Sequence, residues 1–369
     1  MSNNQPSTHS GTRKPLILIT GVSGRIGSWV SRLLASDYQV VGMDIESPEE
    51  SCGEWIETDL TDAESLAEAL RKVREKYGEN VASVIHLAAY YDFAGEPSPL
   101  YDELTVEGTR RLLVGLRDFA VEQFIFSSSL LVMHPCEVGE RITEQSPTRA
   151  EWAYPESKLK AEQVIHETRG GIPSVILRIS GVYDDDCHSI PIARQIARIY
   201  EKQAESFVFP GDSDAGNPYL HISDLAVCIR MLIEKRSELS DEELFLVAEP
   251  DVMSYADLQD ELGELIHGEA WPSIRIPKAV AKAGAWAKEK MAASDEEKPF
   301  IKPWMVDLAD DHYAVDVSHI RDRVGWLPKR RLVDSLPQMV SALKTNPAKW
   351  YQDQGLSVPE SVGSGNVRQ

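Results

Sequence analysis

Cysteine is scarce in this chain. Four residues, Cys52, Cys136, Cys187 and Cys228, are spread over 369 positions with no CxxC pair. The spacing suggests neither a disulfide framework nor a sulfur-ligated zinc site, and it suits reduced thiols in a cytoplasmic protein. Basic charge is also short: 38 Lys and Arg stand against 59 Asp and Glu, for a formal charge of −21. So acidic a surface repels phosphate backbones and anionic lipid, which argues against nucleic acid as a partner. No apolar run reaches the roughly 18 residues of a membrane-spanning helix. Residues 1–13 are polar and lack the apolar stretch of a signal peptide, so a disordered lead-in is expected there; 346–369 are expected to form a C-terminal tail.

What is present is alternation. Short apolar runs at 16–20, 39–44, 55–60, 82–89, 123–129, 174–180 and 243–248 read as strands. Amphipathic segments at 27–36, 62–77, 101–120, 156–168 and 221–235 read as helices, with Asp62 as an N-cap. The pattern predicts an α/β protein, a Rossmann-type doubly wound parallel sheet with a smaller, mostly helical C-terminal substrate lobe. The dinucleotide-binding unit is expected over 14–182, rejoined by 221–248. The lobe is expected over 183–220 and 249–345.

Between the first strand and its helix lies "TGVSGRIG", with Gly21, Gly24 and Gly27 separated by Val22, Ser23, Arg25 and Ile26. Glycines there permit a tight turn, close approach of backbone to a pyrophosphate and close helix packing, and the helix N-terminus supplies unpaired N–H groups. Strand two ends in Asp44, where a carboxylate accepts from both adenosine ribose hydroxyls and repels a 2′-phosphate. The reading is NAD rather than NADP, although Arg25 and Arg13 are cations that could reach a phosphate. Asp59, followed by Leu60, is a weaker candidate for the adenine.

In "EWAYPESKLKAE" Tyr154 precedes Lys158 by four residues, on one helical face. A phenol titrates near ~10 and needs a cation nearby to act as a base at neutral pH. Ser129, at the end of the strand "QFIFSSS", is placed to orient a substrate oxygen.

These motifs resemble the extended short-chain dehydrogenase/reductase family, also described as the NAD-dependent epimerase/dehydratase family. The matches run in order from about 16 to 345: "TGVSGRIG", Asp44, "DL" at 59–60, "HLAA" at 86–89, "GT" at 108–109, the serine strand, "YPESK", "LR" and "VY" within 177–183, "HISDLA" and "VGWLP". The resemblance implies NAD as cofactor, Tyr154 as acid/base, Lys158 as the group that lowers its pKa and holds the nicotinamide ribose, and Ser129 as donor to the substrate oxygen. It further implies Leu87, Ala88, Ala89, Ser127 and Ile179 along the cofactor, and Tyr91, Leu130, Met133 and Gly181 beside a small-molecule substrate. It also implies a homodimer through the helices at 102–118 and 156–168.

Three departures bear on substrate. Thr105, Gly181 and Asn217 or Pro218 stand where nucleotide-sugar enzymes of the family carry Asn, Asn and a diphosphate-binding Arg. Without a guanidinium fork a diphosphate loses its strongest contact. Met133 replaces a polar aromatic, suggesting a less polar pocket, and His134 reads as structural or solvated. The layout after 276 is similar to the 3β-hydroxysteroid dehydrogenase branch. There Val280, Ala283, Ala287 and Met291 form a stripe edged by Lys278, Lys282, Lys288 and Lys290, read as core-facing or else as membrane-surface contact. The leading expectation is an NAD-dependent oxidoreductase acting on an apolar secondary alcohol or ketone. A sugar epimerase or dehydratase and a non-catalytic NAD-bound sensor are the alternatives.

Overall fold

Every residue of β1 (Leu16–Thr20) is buried, as a parallel strand covered on both faces requires. The computed structural model describes residues 14–49, 53–92, 95–291 and 301–359, with Val362; the expected lead-in over 1–13 lies outside them. Six further strands join β1: β2 (Gln39–Asp44), β3 (Glu54–Glu57), β4 (Ser83–His86), β5 (Phe124–Ser129), β6 (Ser174–Ile179) and β7 (Glu242–Val247). They form one sheet in the order β7-β6-β5-β4-β1-β2-β3, parallel at every pairing. The order reverses direction between β1 and β4, which opens a crevice beyond their carboxyl ends.

Side-chain alternation sorts the core. Ile17 and Ile19 face one apolar cluster, Leu16 and Leu18 the other. Helices α1 (Arg25–Leu34) and α6 (Ile222–Glu234) cover the first face; α2 (Ala63–Tyr77), α3 (Glu107–Gly115) and α4 (Ala153–Thr168) cover the second. Asp62 caps α2 by accepting from the Glu64 amide at 2.9 Å. His86 pins β4 to its neighbours, its ring lying 2.6 Å from Thr20 Oγ1 and 2.9 Å from Thr109 Oγ1. Burial pushes its pKa down to about 3, so it is a neutral structural imidazole.

A separate apolar cluster joins α5 (Ile190–Tyr200), α7 (Tyr255–His267), α10 (Leu332–Thr345) and α11 (Pro347–Asp353). Three expectations change here. The tail does not begin at 346: α11 buries Trp350 and Tyr351 in the apolar cluster it shares with α10, because two adjacent aromatics bury enough surface to order the turn. The segment around α9 (Ser318–Val324), expected in the lobe, packs Val315, Val317, Ile320 and Trp326 on the first sheet face, and Ile142 pairs with Val315. The stripe on α8 (Lys278–Met291) is not core-facing. Val280 and Met291 are exposed, while Ala285 is buried and Lys278 and Lys282 pair with Asp310 and Asp307. Ala285, rather than the apolar stripe, lies on the inward side of that helix.

Trp350 is 3% exposed, so Trp350→Ala should cost about 3 kcal/mol and lower the thermal midpoint. Ending the chain after Thr345 should do the same or more. An unchanged midpoint in both variants would show that α11 adds nothing to the fold.

Candidate active site

The glycine turn is dictated by close backbone contacts. Gly21 adopts φ +72°, and a Cβ there would stand 2.7 Å from the Ala88 amide nitrogen. A Cβ on Gly27 would lie 2.2 Å from the Gly21 carbonyl oxygen, so α1 rests directly on the turn. Gly24 is the N-cap of α1 and offers no side-chain cap, which leaves the first N–H groups of the helix turned toward the crevice end of β1. At the end of β2, Asp44 Oδ2 accepts from Ser23 N at 3.0 Å and from Ser23 Oγ at 2.6 Å. Asp44 is thereby fixed beside the turn.

Other predicted cofactor residues divide. Leu87, Ala88 and Ala89 follow β4 and are partly exposed at the crevice, the Leu87 amide donating to Thr20 O. Ser127 and Ile179 lie near the carboxyl ends of β5 and β6. Ile26 packs against the sheet core, and the Leu60 side chain is buried there. Asp59 spends one carboxylate oxygen on its own turn, accepting from Thr61 N at 2.8 Å and Thr61 Oγ1 at 2.7 Å. Arg25 turns to Asp184, forming an ion pair at 3.0 Å. Arg13 lies outside the described residues.

Ser129, Tyr154 and Lys158 come together at the end of β5 and the start of α4. Ser129 pairs in register with Ile179, and its Oγ accepts from the Leu131 amide at 3.2 Å. That leaves its hydroxyl proton to donate to the Tyr154 phenol, with which it hydrogen-bonds. Lys158 is buried; its Nζ donates to the Ser127 carbonyl at 2.8 Å and stands 5.8 Å from the Tyr154 ring centroid. Burial pulls the lysine down to about 7, opposed by the Glu162 carboxylate one turn further along α4. Burial likewise pushes Tyr154 up to about 12, against the Ser129 hydrogen bond. The expected lowering of the phenol by Lys158 is thus not what sets its direction here. The ammonium is turned to the Ser127 carbonyl, and burial, opposed by the Ser129 hydrogen bond, sets the direction of the phenol.

Glu162 is in turn clamped by Arg178 from β6, at 2.7 Å to Nη2 and 3.1 Å to Nε, and accepts from Ser128 Oγ. Met133 and Leu130, expected beside a substrate, are buried in the sheet-side core, and Arg178 Nη1 lies 2.9 Å from Met133 Sδ. The reason is local. After Ser129 the chain enters a 3-10 turn over Leu130–Val132, which ends the strand alternation and turns Leu131 to the cavity instead. Gly181 is exposed, 3.0 Å by a hypothetical Cβ from the Tyr219 ring. Thr105 is buried and accepts from the Tyr90 amide at 3.0 Å, holding the segment that carries Tyr91. His134 is exposed and makes its ring contact with the Pro135 carbonyl, as the structural or solvated reading expects.

Aromatic rings surround the phenol. Tyr91 meets Tyr154 edge-on at 4.8 Å between centroids, Trp152 lies 5.6 Å from Tyr154, and Trp304 lies 5.5 Å from Trp152. Trp152 and Trp304 were not singled out from sequence. Trp152 stands two residues before Tyr154, a signal that was available; Trp304 comes from 150 residues further along, and only the fold brings it in. A cavity of about 300 Å³ opens beside these rings, lined also by Leu131, Phe209, Asn217, Tyr255 and Tyr313. Among the described residues no group of three or more His, Cys, Asp or Glu is placed to hold a metal.

This architecture has known counterparts. The model of the NAD dependent epimerase/dehydratase family matches residues 17–248. A UDP-glucose 4-epimerase of Vibrio cholerae is 26% identical over 337 residues, covering 88% of this chain and 94% of that protein. A "putative dihydroflavonol 4-reductase" of Synechocystis is 23% identical over 351 residues, covering 91% and 94%. Among solved structures, the UDP-glucose 4-epimerase of Thermus thermophilus in complex with NAD aligns with a TM-score of 0.65 at 21% identity, covering 89% of this chain and 99% of that one. A short-chain dehydrogenase/reductase superfamily protein from Agrobacterium tumefaciens with bound NAD aligns at 0.67 and 21% identity, covering 91% and 99%. The glycine turn, the fixed aspartate and the seven-stranded sheet agree with these matches, and the chain belongs to the NAD-dependent epimerase/dehydratase family of extended short-chain dehydrogenases/reductases.

Proposed function

We propose that the protein is an NAD-dependent oxidoreductase acting at a secondary alcohol or ketone carbon of a small molecule with an apolar body. The observation that carries this reading is the cavity wall beside Tyr154, built largely from Leu131, Trp152, Phe209, Tyr255, Trp304 and Tyr313. The aromatic part of this wall favours flat apolar surface, and it stands beside the charged Arg149, Glu151, Arg198, Glu205 and Asp311. Asn217, which with Pro218 stands where nucleotide-sugar enzymes of the family carry a diphosphate-binding arginine, lines the same cavity. The relatives compared above are named as a UDP-glucose 4-epimerase and a dihydroflavonol 4-reductase, which lend no support to a steroid in particular, and the proposal is for an apolar alcohol in general.

The cradle fits NAD. Gly21, Gly24 and Gly27 leave room for a pyrophosphate at the N-terminus of α1, and Asp44, held by Ser23, suits the adenosine ribose. Bound there, NAD supplies or accepts the hydride. Tyr154 moves the proton: as a phenol it donates to a carbonyl oxygen, and as a phenolate it accepts from a carbinol. Ser129 donates to the same oxygen and orients it. Lys158 holds the cofactor ribose and, when protonated, stabilises the phenolate.

A second reading, an epimerase that regenerates its NAD each turnover, fits the comparisons at least as well: the family model over residues 17–248 is that of NAD dependent epimerases and dehydratases, and similarity to the Vibrio cholerae epimerase runs over 88% of this chain. The two differ in whether NADH accumulates. The proposal also includes a homodimer through α3 and α4 and a cytoplasmic location suited to free Cys136, Cys187 and Cys228. Sedimentation as a monomer would remove the first part, and recovery outside the cytoplasmic fraction the second.

With NAD and panels of apolar alcohols and UDP-sugars, NADH should build up only with the alcohols. Conversion of a UDP-sugar without net NADH would overturn the leading reading. Tyr154→Phe should lower turnover by at least about a hundredfold and leave NAD binding intact. Full activity in that variant would unseat the tyrosine.

Lysine 158 makes a pH prediction. Its folded pKa of about 7 lies below its ordinary 10.5, so the unfolded chain binds more protons between those values. The burial penalty is absent above the ordinary value and fully in force below about 7, so this term makes stability rise with pH across that window. Urea unfolding at about pH 7 and about pH 9 should show the wild type gaining up to roughly 2 kcal/mol relative to Lys158→Met. Parallel pH profiles would show that the lysine is not desolvated.

A further inference from the structure

One charge in the cavity wall has no carboxylate partner among the described residues. Arg149 pairs with Glu151 at 3.1 Å and Asp311 at 3.2 Å, and Glu205 pairs with Lys288. Arg198, on α5, also lines the cavity, yet no carboxylate of the described residues lies within ion-pair distance of it. Its Nη2 donates to Gln195 Oε1, and its Nε is buried with no hydrogen-bond partner among the described residues. Glu205 acts on it only through space. The side chain is partly exposed to the cavities, but its Nε–H is shut off from water without an acceptor, and an unmet donor on a charged group is costly.

The side chain is nonetheless held in place. Gln195, which accepts from Arg198, donates to Tyr255 Oη at 3.2 Å and to Gln259. The Tyr255 ring stacks on Phe209 with centroids 3.8 Å apart and planes at 24°, and both rings line the cavity with Arg198. Trp152 lines it too and touches the Tyr154 ring. One continuous wall therefore links the phenol to the unmatched guanidinium by way of aromatic surface. Arg198 also borders a second cavity of about 1080 Å³ beneath α8, so the wall is reached from that side as well.

We infer that the substrate carries an oxyanion, a carboxylate or phosphate group, which docks on Arg198 while its apolar body lies along the rings of Phe209, Tyr255 and Trp152. This rests on the proposed reading of the Tyr154 site and specifies its substrate class. Arg198 selects the anionic end, and the aromatic wall spaces that end from the reacting carbon.

Calorimetric titration of the NAD-loaded protein with 2-naphthol, 2-naphthoate and 2-naphthyl phosphate tests it without any turnover. At least one anion should bind about tenfold tighter than naphthol or better, and the better of the two identifies the oxyanion. Arg198→Gln should erase that advantage, with naphthol affinity nearly unchanged, and Arg198→Lys should restore part of it. Anions that bind no better than naphthol, or an advantage that survives Arg198→Gln, would overturn the inference. Should Arg198→Gln fail to fold, the wild-type comparison with naphthol decides alone. Because the readout is binding, a failed subsite is distinguishable from failed hydride transfer at Tyr154.

Discussion

The burial of Lys158 is the constraint on which the site depends. An ammonium lodged between α4 and the end of β5 loses its water, and one carbonyl, Ser127 O at 2.8 Å, receives its hydrogen bond. The surroundings answer that cost at a distance. Glu162, eight residues beyond Tyr154 on the same helix, pulls the lysine back toward its charged form, and Arg178 holds Glu162 with two hydrogen bonds. Tyr154, Lys158 and Glu162 thus share one helical face, and β6 supplies the countercharge. The same lack of water raises the phenol, so the resting site favours Tyr–OH over the phenolate.

Backbone contact plays the corresponding part at the cofactor end. Gly21 and Gly27 bring β1, α1 and the loop after β4 closer than any side chain permits. Ser23 then reaches Asp44 with both its amide and its hydroxyl, so the acidic end of β2 is oriented by the turn itself. These interactions are short in sequence or confined to adjacent strands. That locality explains why the glycine spacing, Asp44 and the strand–helix alternation are legible in the sequence: each depends on chain geometry over one βαβ unit.

The substrate side was read less well, for a related reason. The family resemblance implied Met133 and Leu130 beside the substrate, but the chain turns after Ser129, buries both in the core and brings Leu131 to the cavity instead. The α8 stripe has the apolar spacing of a core-facing helix, yet Val280 and Met291 are exposed and Ala285 is the residue buried. Asn217 correctly signalled a missing guanidinium at its own position. It could not show that Arg198, from a different element, enters the same wall.

By itself, then, the sequence determined the family, the doubly wound sheet, the glycine turn with Asp44 and the Tyr154–Lys158 pair, because period, spacing and turn chemistry act within a few residues. Only the tertiary structure decided which rings meet Tyr154, that burial rather than the lysine governs the phenol, and that Trp304, Phe209, Tyr255 and Arg198 line one cavity. Those outcomes depend on contacts across tens to hundreds of residues and on how much water each group loses. No local pattern encodes either.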